Sequence, residues 1–352
     1  MRRYVLVWFL AISTVLATGS IIEKNFMITD ANPGHIDVAY ENNTYLNVTV
    51  IAGPATINSY DLQVASTSVS KRNDLIDVGT EYKFVVNVTC PNTWQEIDYI
   101  NITAWYDNGN ESSYYNQTTG GNLNLFLQYK NTTGTAEYNM LWPTGGEVTK
   151  GTMTETVINE TTHIVELSFT PLYQFRSAPG DGTWGTATNT TDDLYSWNFK
   201  IEVTTSSGNV TWVKDEFGVY RYCELSVSSS VSASALPGHR ASTPLGALTI
   251  TYKVNAPYKL NVTTNETLER VGGGDSISRD YINVTGGDIV GEDSLNDGIA
   301  YIKGNEASYH DIHNDGTQES INDVQYHCDI PFGTLSGVYT SRLYYTLSLQ
   351  TG

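Results

Sequence analysis

The densest group of chemistry-bearing side chains lies between residues 286 and 323. This segment holds nine carboxylates and a single Lys or Arg side chain, Lys303. Two stretches, 293–298 and 311–316, place carboxylate and amide oxygens around a glycine, and Ca²⁺ prefers oxygen ligands of this kind. The candidate ligands are Asp293, Asp297, Asp311 and Asp315. Because both stretches lack the distal glutamate of an EF-hand loop, a solvated acidic loop is the preferred interpretation and a Ca²⁺ site is the alternative.

Transition-metal binding is a second alternative for the same region. His310 and His313 have the H-x-x-H spacing that can chelate a metal ion, and His327 follows a short distance along the chain. Histidines in loops are more often bystanders than ligands, so no resident cofactor is predicted.

Catalytic motifs are absent from the sequence. The stretch Gly333–Gly337 has its serine one place away from the position that a nucleophile elbow requires. The glycines before Asp275 precede no helical pattern, which indicates a turn and not a phosphate-binding loop. Carboxylate pairs such as Glu292-Asp293 could serve in acid–base catalysis only if the fold brought them together across a cleft. The sequence therefore predicts a protein that is not an enzyme, with an extracellular hydrolase as a distant alternative.

Aromatic residues offer a further chemistry, the stacking of sugar rings. The chain has 7 Trp, and the six outside the N-terminal apolar run lie between Trp94 and Trp212. Tryptophan combines a large apolar face with a polar edge, which suits both sugar platforms and hydrophobic cores. A core location is the preferred interpretation.

Charge and composition restrict the class of protein. With 38 Asp and Glu against 19 Lys and Arg, the formal charge is -19. A surface this acidic repels phosphate backbones, so no nucleic-acid partner is expected. The 24 Tyr, together with frequent Thr and Val, favour half-buried strands. The composition therefore indicates an all-β protein with real cores.

The first 19 residues have the pattern of a secretory signal peptide. Arg2 and Arg3 precede the apolar run 4–17, and Ala17-Thr18-Gly19 offers small residues for cleavage. An uncleaved membrane anchor is the alternative, although the run is short for a span. We expect a secreted protein at the extracellular cell surface, without a transmembrane segment in the mature chain.

Thirteen Asn-x-Ser/Thr sequons fit the same compartment, about twice as many as random placement would give. They predict a glycoprotein, and the alternative is a chain so rich in Asn and Thr that sequons arise by accident. The candidate acceptors are Asn42, Asn47, Asn87, Asn101, Asn110, Asn116, Asn131, Asn159, Asn189, Asn209, Asn261, Asn265 and Asn283.

The three cysteines allow one disulfide and one remaining thiol. Cys223 and Cys328 lie in the same half of the chain, so their pairing is the preferred interpretation for an exported protein. Cys90 would then be free, buried or intermolecular, and two other pairings remain open.

Alternating polar and apolar residues recur from residue 57 onward, for example at Tyr82–Thr89, Ser196–Thr204 and Asn209–Val213, separated by turn signals such as Asn108-Gly109. Many short strands at this spacing predict β-sandwiches. The last Trp, and ten of the sequons, precede residue 218. We predict four regions: a signal peptide at 1–19, an extended segment at 20–54, and two sandwich domains at 55–217 and 218–352.

Several phrases resemble Ig-like domains of archaeal secreted surface proteins. They are Phe84-Val-Val-Asn-Val-Thr89, Asp98–Tyr106, Phe169-Thr-Pro171 with Gly180–Trp184, Trp197–Val203, and the closing Ile330–Thr334, Gly337–Tyr339 and Tyr345–Ser348. The resemblance covers most of residues 57–352. It implies two Ig-like sandwiches with a role in the cell wall, a surface layer or a filament, and it carries no catalytic residues.

Residues 36–51 form a separate strand pattern before the Gly53-Pro54 break. Its alternating apolar side chains are Ile36, Val38 and Tyr40, then Leu46, Val48 and Val50, with a change of face across 41–44 that fits a bend or bulge. One interpretation is a strand donated to a sandwich of a neighbouring molecule, which resembles the donor-strand filaments of archaeal surface proteins. The other is the first strand or two of the chain's own sandwich.

The sequence therefore predicts a secreted, glycosylated structural protein of the cell surface that self-associates into a polymer by strand addition. A monomeric adhesin or carbohydrate-binding surface protein, with glycans as partners, is the alternative.

Overall fold

The computed structural model describes residues 24–28, 38–42, 45–49, 53–106, 124–132, 135–173, 175–178, 180, 196–228, 230–312 and 319–350. The chain divides into two compact units, residues 1–51 and 52–352. The first unit contains one antiparallel pair of strands, β1 (Lys24–Ile28) and β2 (Val38–Asn42), with Lys24 opposite Asn42. The predicted signal peptide lies outside the described residues.

The described residues of the second unit are all β, interrupted by short 3₁₀ turns, as the composition predicted. One sheet has four antiparallel strands in the order β3-β5-β10-β9. Their bounds are Thr56–Val64 for β3, Tyr82–Thr89 for β5, Thr162–Pro171 for β10 and Val148–Val157 for β9.

A second sheet of six strands has the order β4-β12-β11-β6-β7-β8, and only the short pairing of β4 with β12 is parallel. Its strands are β4 (Leu75–Ile76), β6 (Ile97–Tyr106), β7 (Asn124–Thr132), β8 (Thr135–Trp142), β11 (Trp197–Thr205) and β12 (Val210–Val219).

These two sheets enclose the first core. Alternation at period 2 decides which side chains face inward, since successive residues of a strand point to opposite faces. In β5 every second side chain from Tyr82 to Val88 is buried, and in β11 the same holds from Trp197 to Val203. Phe84 joins the layers because its ring lies 5.5 Å from that of Phe169 and 5.2 Å from that of Phe199, between ring centroids. The first core is therefore a two-sheet sandwich.

The second core is built from four smaller antiparallel sheets, with orders β13-β15-β22, β14-β23-β19-β20, β21-β16-β25 and β18-β17-β24. The strands are β13 (Cys223–Val227), β14 (Arg240–Ser242), β15 (Ile250–Val254), β16 (Tyr258–Thr264), β17 (Thr267–Arg270), β18 (Ser276–Ser278), β19 (Ile282–Gly286), β20 (Ile289–Ser294), β21 (Ile299–Lys303), β22 (Glu319–Ile321), β23 (Gln325–Asp329), β24 (Tyr339–Thr340) and β25 (Leu343–Leu349).

Buried apolar residues form two separate clusters, one between Ala55 and Val219 and one between Leu248 and Tyr326. The predicted division at 217/218 falls inside β12, which continues to Val219 and ends by pairing with β4. The strand continues because Phe217 and Val219 are fully buried in the first cluster. Whether each cluster folds by itself stays a prediction.

Asn255, between β15 and β16, forms hydrogen bonds with chain segments that lie between the two clusters. Its side chain accepts a hydrogen bond from the Tyr222 backbone N–H (2.7 Å) and donates one to the Tyr220 carbonyl (2.8 Å). Its own carbonyl accepts a bond from the backbone N–H of Ser177 (2.6 Å). The residue is fully buried. The side chain of Asn255 thus ties the linker 220–222 to the second core, and its backbone carbonyl ties the loop after β10 to the same place.

Candidate functional site

The second core is incompletely covered along one side. The inward side chains of β15 and β16, such as Ile250 and Leu260, are essentially inaccessible to solvent. The inward side chains of β13 and β25 are only half-buried, although they pack against the same cluster. They are Leu225 and Val227 on β13, and Leu343, Tyr345, Leu347 and Leu349 on β25.

The two strands that carry these side chains are sheet edges. Within the part of the chain that the structure describes, β13 pairs with β15 alone and β25 with β16 alone. They lie beside each other, and Arg221 Nε donates to the Gln350 carbonyl (3.0 Å) at one end. A cavity of about 390 Å³ follows β13 and β15, lined by Glu224, Leu225, Ser226, Thr251, Tyr252 and Lys253. We call the half-buried inner faces of β13 and β25, together with the cavity beside β13, the edge groove.

A second exposed apolar feature lies in the N-terminal unit. Residues 45–49 have no regular secondary structure, and Tyr45, Leu46 and Val48 are 88%, 83% and 71% exposed. Leu46 and Val48 are two positions apart, so in an extended strand they would share one face and Tyr45 would lie on the other. An exposed strand-forming segment of this kind can pair with a sheet edge.

The structure divides the segment that the sequence set apart at 36–51. Val38 and Tyr40 lie in β2, opposite Ile28 and Phe26 of β1, and β2 belongs to none of the sheets in 52–352. Leu46 and Val48 lie in the exposed stretch, while Ile36 and Val50 lie outside the described residues. The first two residues of the predicted change of face, Glu41 and Asn42, belong to the paired strand β2, and residues 43–44 lie outside the described residues. Strand donation stays a prediction.

The acidic segment 286–323 meets basic side chains that are distant in sequence. Asp288 contacts Lys303 Nζ (2.8 Å) and His310 Nδ1 (3.0 Å). Glu292 and Asp329 flank the guanidinium of Arg240, whose Nε lies 2.8 Å from an Asp329 oxygen. The segment itself contains a single Lys or Arg side chain, but in the folded protein His310 and Arg240 also contact its carboxylates.

These contacts change the acidity of the carboxyl groups. Burial of Asp288 opposes ionisation, but hydrogen bonds from Lys303 and the Gly304 N–H outweigh it, so its pKa lies below its usual value. The Arg240 guanidinium likewise holds the pKa of Asp329 below its usual value. Both side chains are thus kept ionised by groups of the protein itself.

The four predicted Ca²⁺ ligands are distributed over different elements. Asp293 lies in β20 opposite Val284, and Asp311 contacts Arg176 Nη1 (3.4 Å) and its neighbour's N–H. Asp297 belongs to a 3₁₀ turn, but its side chain and the whole of Asp315 lie outside the described residues. No cluster of three or more metal-binding side chains occurs among the residues that were described.

We expect Ca²⁺ to change the thermal stability very little. A ligand raises the Tm only if it binds the folded state preferentially, and Asp288 and Asp311 already contact cationic side chains. Calorimetric Tm values in Ca²⁺ and in chelator should agree within about 2 °C, for the wild type and for the double variant Asp293→Asn/Asp297→Asn. A rise of many degrees in the wild type alone would establish a Ca²⁺ site.

The predicted Cys223–Cys328 bridge is not formed. All three cysteines are free thiols: Cys90 is buried, Cys223 is exposed and Cys328 is half-buried. Cys223 begins β13, whereas Cys328 lies in β23 of a different sheet, between Ala241 and Ile282. Shared location in one half of the chain does not bring two Cβ atoms within the ~4 Å that a disulfide needs. Burial and the nearby Asp329 raise the pKa of the Cys328 thiol.

The sequons differ in the accessibility of their asparagines. Asn47, Asn159 and Asn265 are exposed, and Asn131 is only 8% exposed, with its amide donating to the Trp94 carbonyl. Half-buried acceptors at strand faces or strand ends are Asn87, Asn101, Asn209, Asn261 and Asn283. Asn42 is described by its backbone alone, and Asn110, Asn116 and Asn189 lie outside the described residues. Among the sequon side chains that the structure describes, burial makes Asn131 the poorest acceptor.

Most of the described tryptophans serve the protein interior, as the sequence predicted. Trp94 and Trp197 belong to the first hydrophobic cluster, and Trp105 is also buried. Trp212 differs because it is 50% exposed on the outer face of the six-stranded sheet. The sequence predicted a strand at Asn209–Val213 but not which strands lie beside it or which of its faces is exposed, so this location of Trp212 was missed.

Comparisons with known proteins identify no family. No family model matches the chain, and no curated protein matches it. Among solved structures, it is similar to a 35 kDa C-terminal fragment of the major pilin GBS80 of Streptococcus agalactiae, with 11% identity, coverage of 85% of this chain and 87% of that one, and a TM-score of 0.20. A chain described as BspA_C_mut gives 6% identity, coverage of 83% and 95%, and a TM-score of 0.19. TM-scores this low establish neither a shared fold nor a shared function.

The described residues were also compared with the requirements of a membrane span. Among them, no helix has the length and apolar character needed to cross a bilayer.

Proposed function

We propose that the chain is a secreted, non-enzymatic structural protein of the cell surface, glycosylated and assembled into an extracellular filament or layer by strand addition. Residues 45–49 of one molecule would enter the edge groove of the next. The observation that carries this proposal is the combination of an exposed, alternating apolar segment with a core that two edge strands leave incompletely covered.

Charge supports the pairing of these two surfaces. Copies of a chain with a formal charge of -19 repel one another, so self-association requires contact surfaces without like charges. Residues 45–49 carry no ionisable group other than the Tyr45 phenol, and β25 contains no acidic or basic side chain. Residues 45–49 can therefore meet β25 without burying a carboxylate, and the one carboxylate of β13, Glu224, is paired with Lys253 (2.8 Å).

Energetics favour the same arrangement. Burying a leucine or valine side chain contributes about 1.5–3 kcal/mol, and an added strand also satisfies the unpaired backbone groups of an edge. Leu46 and Val48 would meet the half-buried Tyr345 and Leu347, which have the same period along β25. Cross-strand contacts of this kind give a strand both affinity and a defined register.

Geometry then decides the form of the assembly. The proposed contact is heterologous, because the donor segment and the edge groove are different surfaces of one chain. A heterologous contact that does not close into a ring generates an open polymer. The proposal therefore accounts for a filament or layer with one kind of subunit.

A matched pair of variants tests this function. Val48→Asp and Tyr45→Asp each replace an exposed side chain by one carboxylate, and both keep the Asn47 sequon, but they lie on opposite faces of an extended strand. We expect Val48→Asp to raise the protein concentration at which polymers begin to form by about 100-fold or more. The reason is that an unpaired carboxylate in an apolar groove costs several kcal/mol. Tyr45→Asp should assemble almost like the wild type, as measured by sedimentation and negative-stain microscopy.

Two outcomes would contradict the proposal. If both variants assemble like the wild type, residues 45–49 are not the donor. If the wild-type protein stays monomeric at the concentration that it reaches on the cell surface, and binds surface glycans instead, the chain is an adhesin or carbohydrate-binding protein.

A further inference from the structure

The outer face of the six-stranded sheet brings a sequon and an exposed tryptophan into one row. Trp212 in β12 lies opposite Glu202 in β11, and Glu202 lies opposite Asn101 in β6. Neighbouring strands are ~4.8 Å apart, so the Cα atoms of Asn101 and Trp212 are about 10 Å apart across the sheet. The first sugars of a glycan on Asn101 can span that distance.

The Asn101 side chain is oriented for modification. Its Oδ1 accepts a hydrogen bond from Gln128 Nε2 (3.0 Å). This bond fixes the amide plane and leaves Nδ2, the atom that receives a sugar, for other contacts. In Asn131 and Asn283, by contrast, Nδ2 donates to the Trp94 carbonyl and to Asp329.

Cationic side chains surround the exposed indole. The ammonium groups of Lys200 and Lys214 lie 5.7 and 5.8 Å from the centroid of the Trp212 ring, and these lysines face each other across β11 and β12. Lys200 pairs with Glu202, whereas Lys214 has no ion-pair partner within the described part of the chain. The Lys214 ammonium also lies 5.7 Å from the centroid of the Trp105 ring. An exposed aromatic ring with ammonium N–H donors nearby suits a saccharide, whose rings present C–H groups on their faces and hydroxyl groups on their edges.

We propose that Asn101 carries an N-linked glycan whose first sugars lie across Glu202 and pack on Trp212, within reach of Lys214. The inference rests on the proposed extracellular function. An oligosaccharyl transferase would supply the glycan from a lipid-linked sugar phosphate: the Nδ2–C1 bond forms, the bond from C1 to the phosphate oxygen breaks, Nδ2 loses a proton and the lipid phosphate leaves.

Tethering makes a weak contact sufficient. A glycan attached to Asn101 remains near Trp212 at a high effective concentration, so stacking needs no measurable affinity for free sugar. The packed sugars would cover an indole that is 50% exposed. Covering it removes an apolar contact site from the outer face of the sheet.

The first test is glycopeptide mass spectrometry of the protein from its native source. Occupied Asn101 supports the inference. Occupancy of other sequons with an empty Asn101 overturns the inference and leaves the proposed function intact, whereas thirteen empty sequons overturn the glycoprotein assignment as well.

The second test measures how fast N-bromosuccinimide oxidises Trp212, followed by peptide mapping. We expect oxidation to be several-fold faster in Asn101→Gln than in the glycosylated wild type. Asn87→Gln is the matched control, because Asn87 also lies on a strand face with its Oδ1 held, by Asn58, and has no aromatic partner in its register. Equal rates in the wild type and Asn101→Gln would overturn the packing on Trp212.

Discussion

Replacing Asn255 by alanine is expected to separate the unfolding of the two cores. The variant loses the acceptor of the Tyr222 N–H and the donor to the Tyr220 carbonyl. Losing two hydrogen bonds at a fully buried side chain costs about 2–4 kcal/mol. The linker would then be held against the second core by fewer bonds, among them the backbone bond from the Asn255 N–H to the Tyr222 carbonyl (3.2 Å), so the coupling between the cores should weaken.

The distribution of aromatic residues provides the measurement. All 7 Trp lie before residue 213, so tryptophan fluorescence reports on the first core, while far-UV circular dichroism reports on both. We expect the two denaturation curves to coincide in the wild type and to separate in Asn255→Ala. The exposed Asn265 provides a control: Asn265→Ala should change stability by less than about 0.5 kcal/mol. Coincident curves for Asn255→Ala would show that the coupling lies elsewhere.

Trp197→Ala is expected to give the largest loss of stability of any single tryptophan substitution in the described residues. Trp197 is fully buried, its ring is stacked on that of Phe175 with centroids 4.2 Å apart, and its Nε1 donates to the Arg176 carbonyl (3.0 Å). Truncation leaves a cavity and an unpaired carbonyl, which together cost about 3–5 kcal/mol.

Trp212→Ala is the matched control, studied in unglycosylated protein. The same side chain is removed, but Trp212 is half exposed, so the free energy of unfolding should fall by about 1 kcal/mol or less. Urea denaturation of both variants measures the difference. Equal losses would contradict the assignment of Trp197 to the first core.

Much of the strand content was predictable because it depends on local alternation. The pattern of Tyr82–Thr89 predicted a strand with the bounds that the structure has, and Ser196–Thr204 was displaced by one residue from Trp197–Thr205. Such patterns are readable because a strand between a core and solvent must alternate, whatever its partner is.

Side-chain partners were less predictable because they depend on register between distant strands. In sequence, neither Glu292 nor Asp329 has a Lys or Arg within ten residues, yet both contact Arg240, which β14 brings beside β23. The disulfide prediction failed for the same reason, since Cys223 and Cys328 lie in different sheets. The hydrogen bonds of Asn255 could not be predicted from the residues around it, because its partners lie in the linker and in the loop after β10.

Composition and local periodicity were sufficient to predict the all-β class and many of the strands, whereas the role of 36–51 stays a prediction. Only the tertiary structure decided that β13 and β25 are edges with half-buried inner faces, and that Asn101 and Trp212 share a row. Pairing order and register are set by contacts between residues far apart in the chain, which local alternation does not specify.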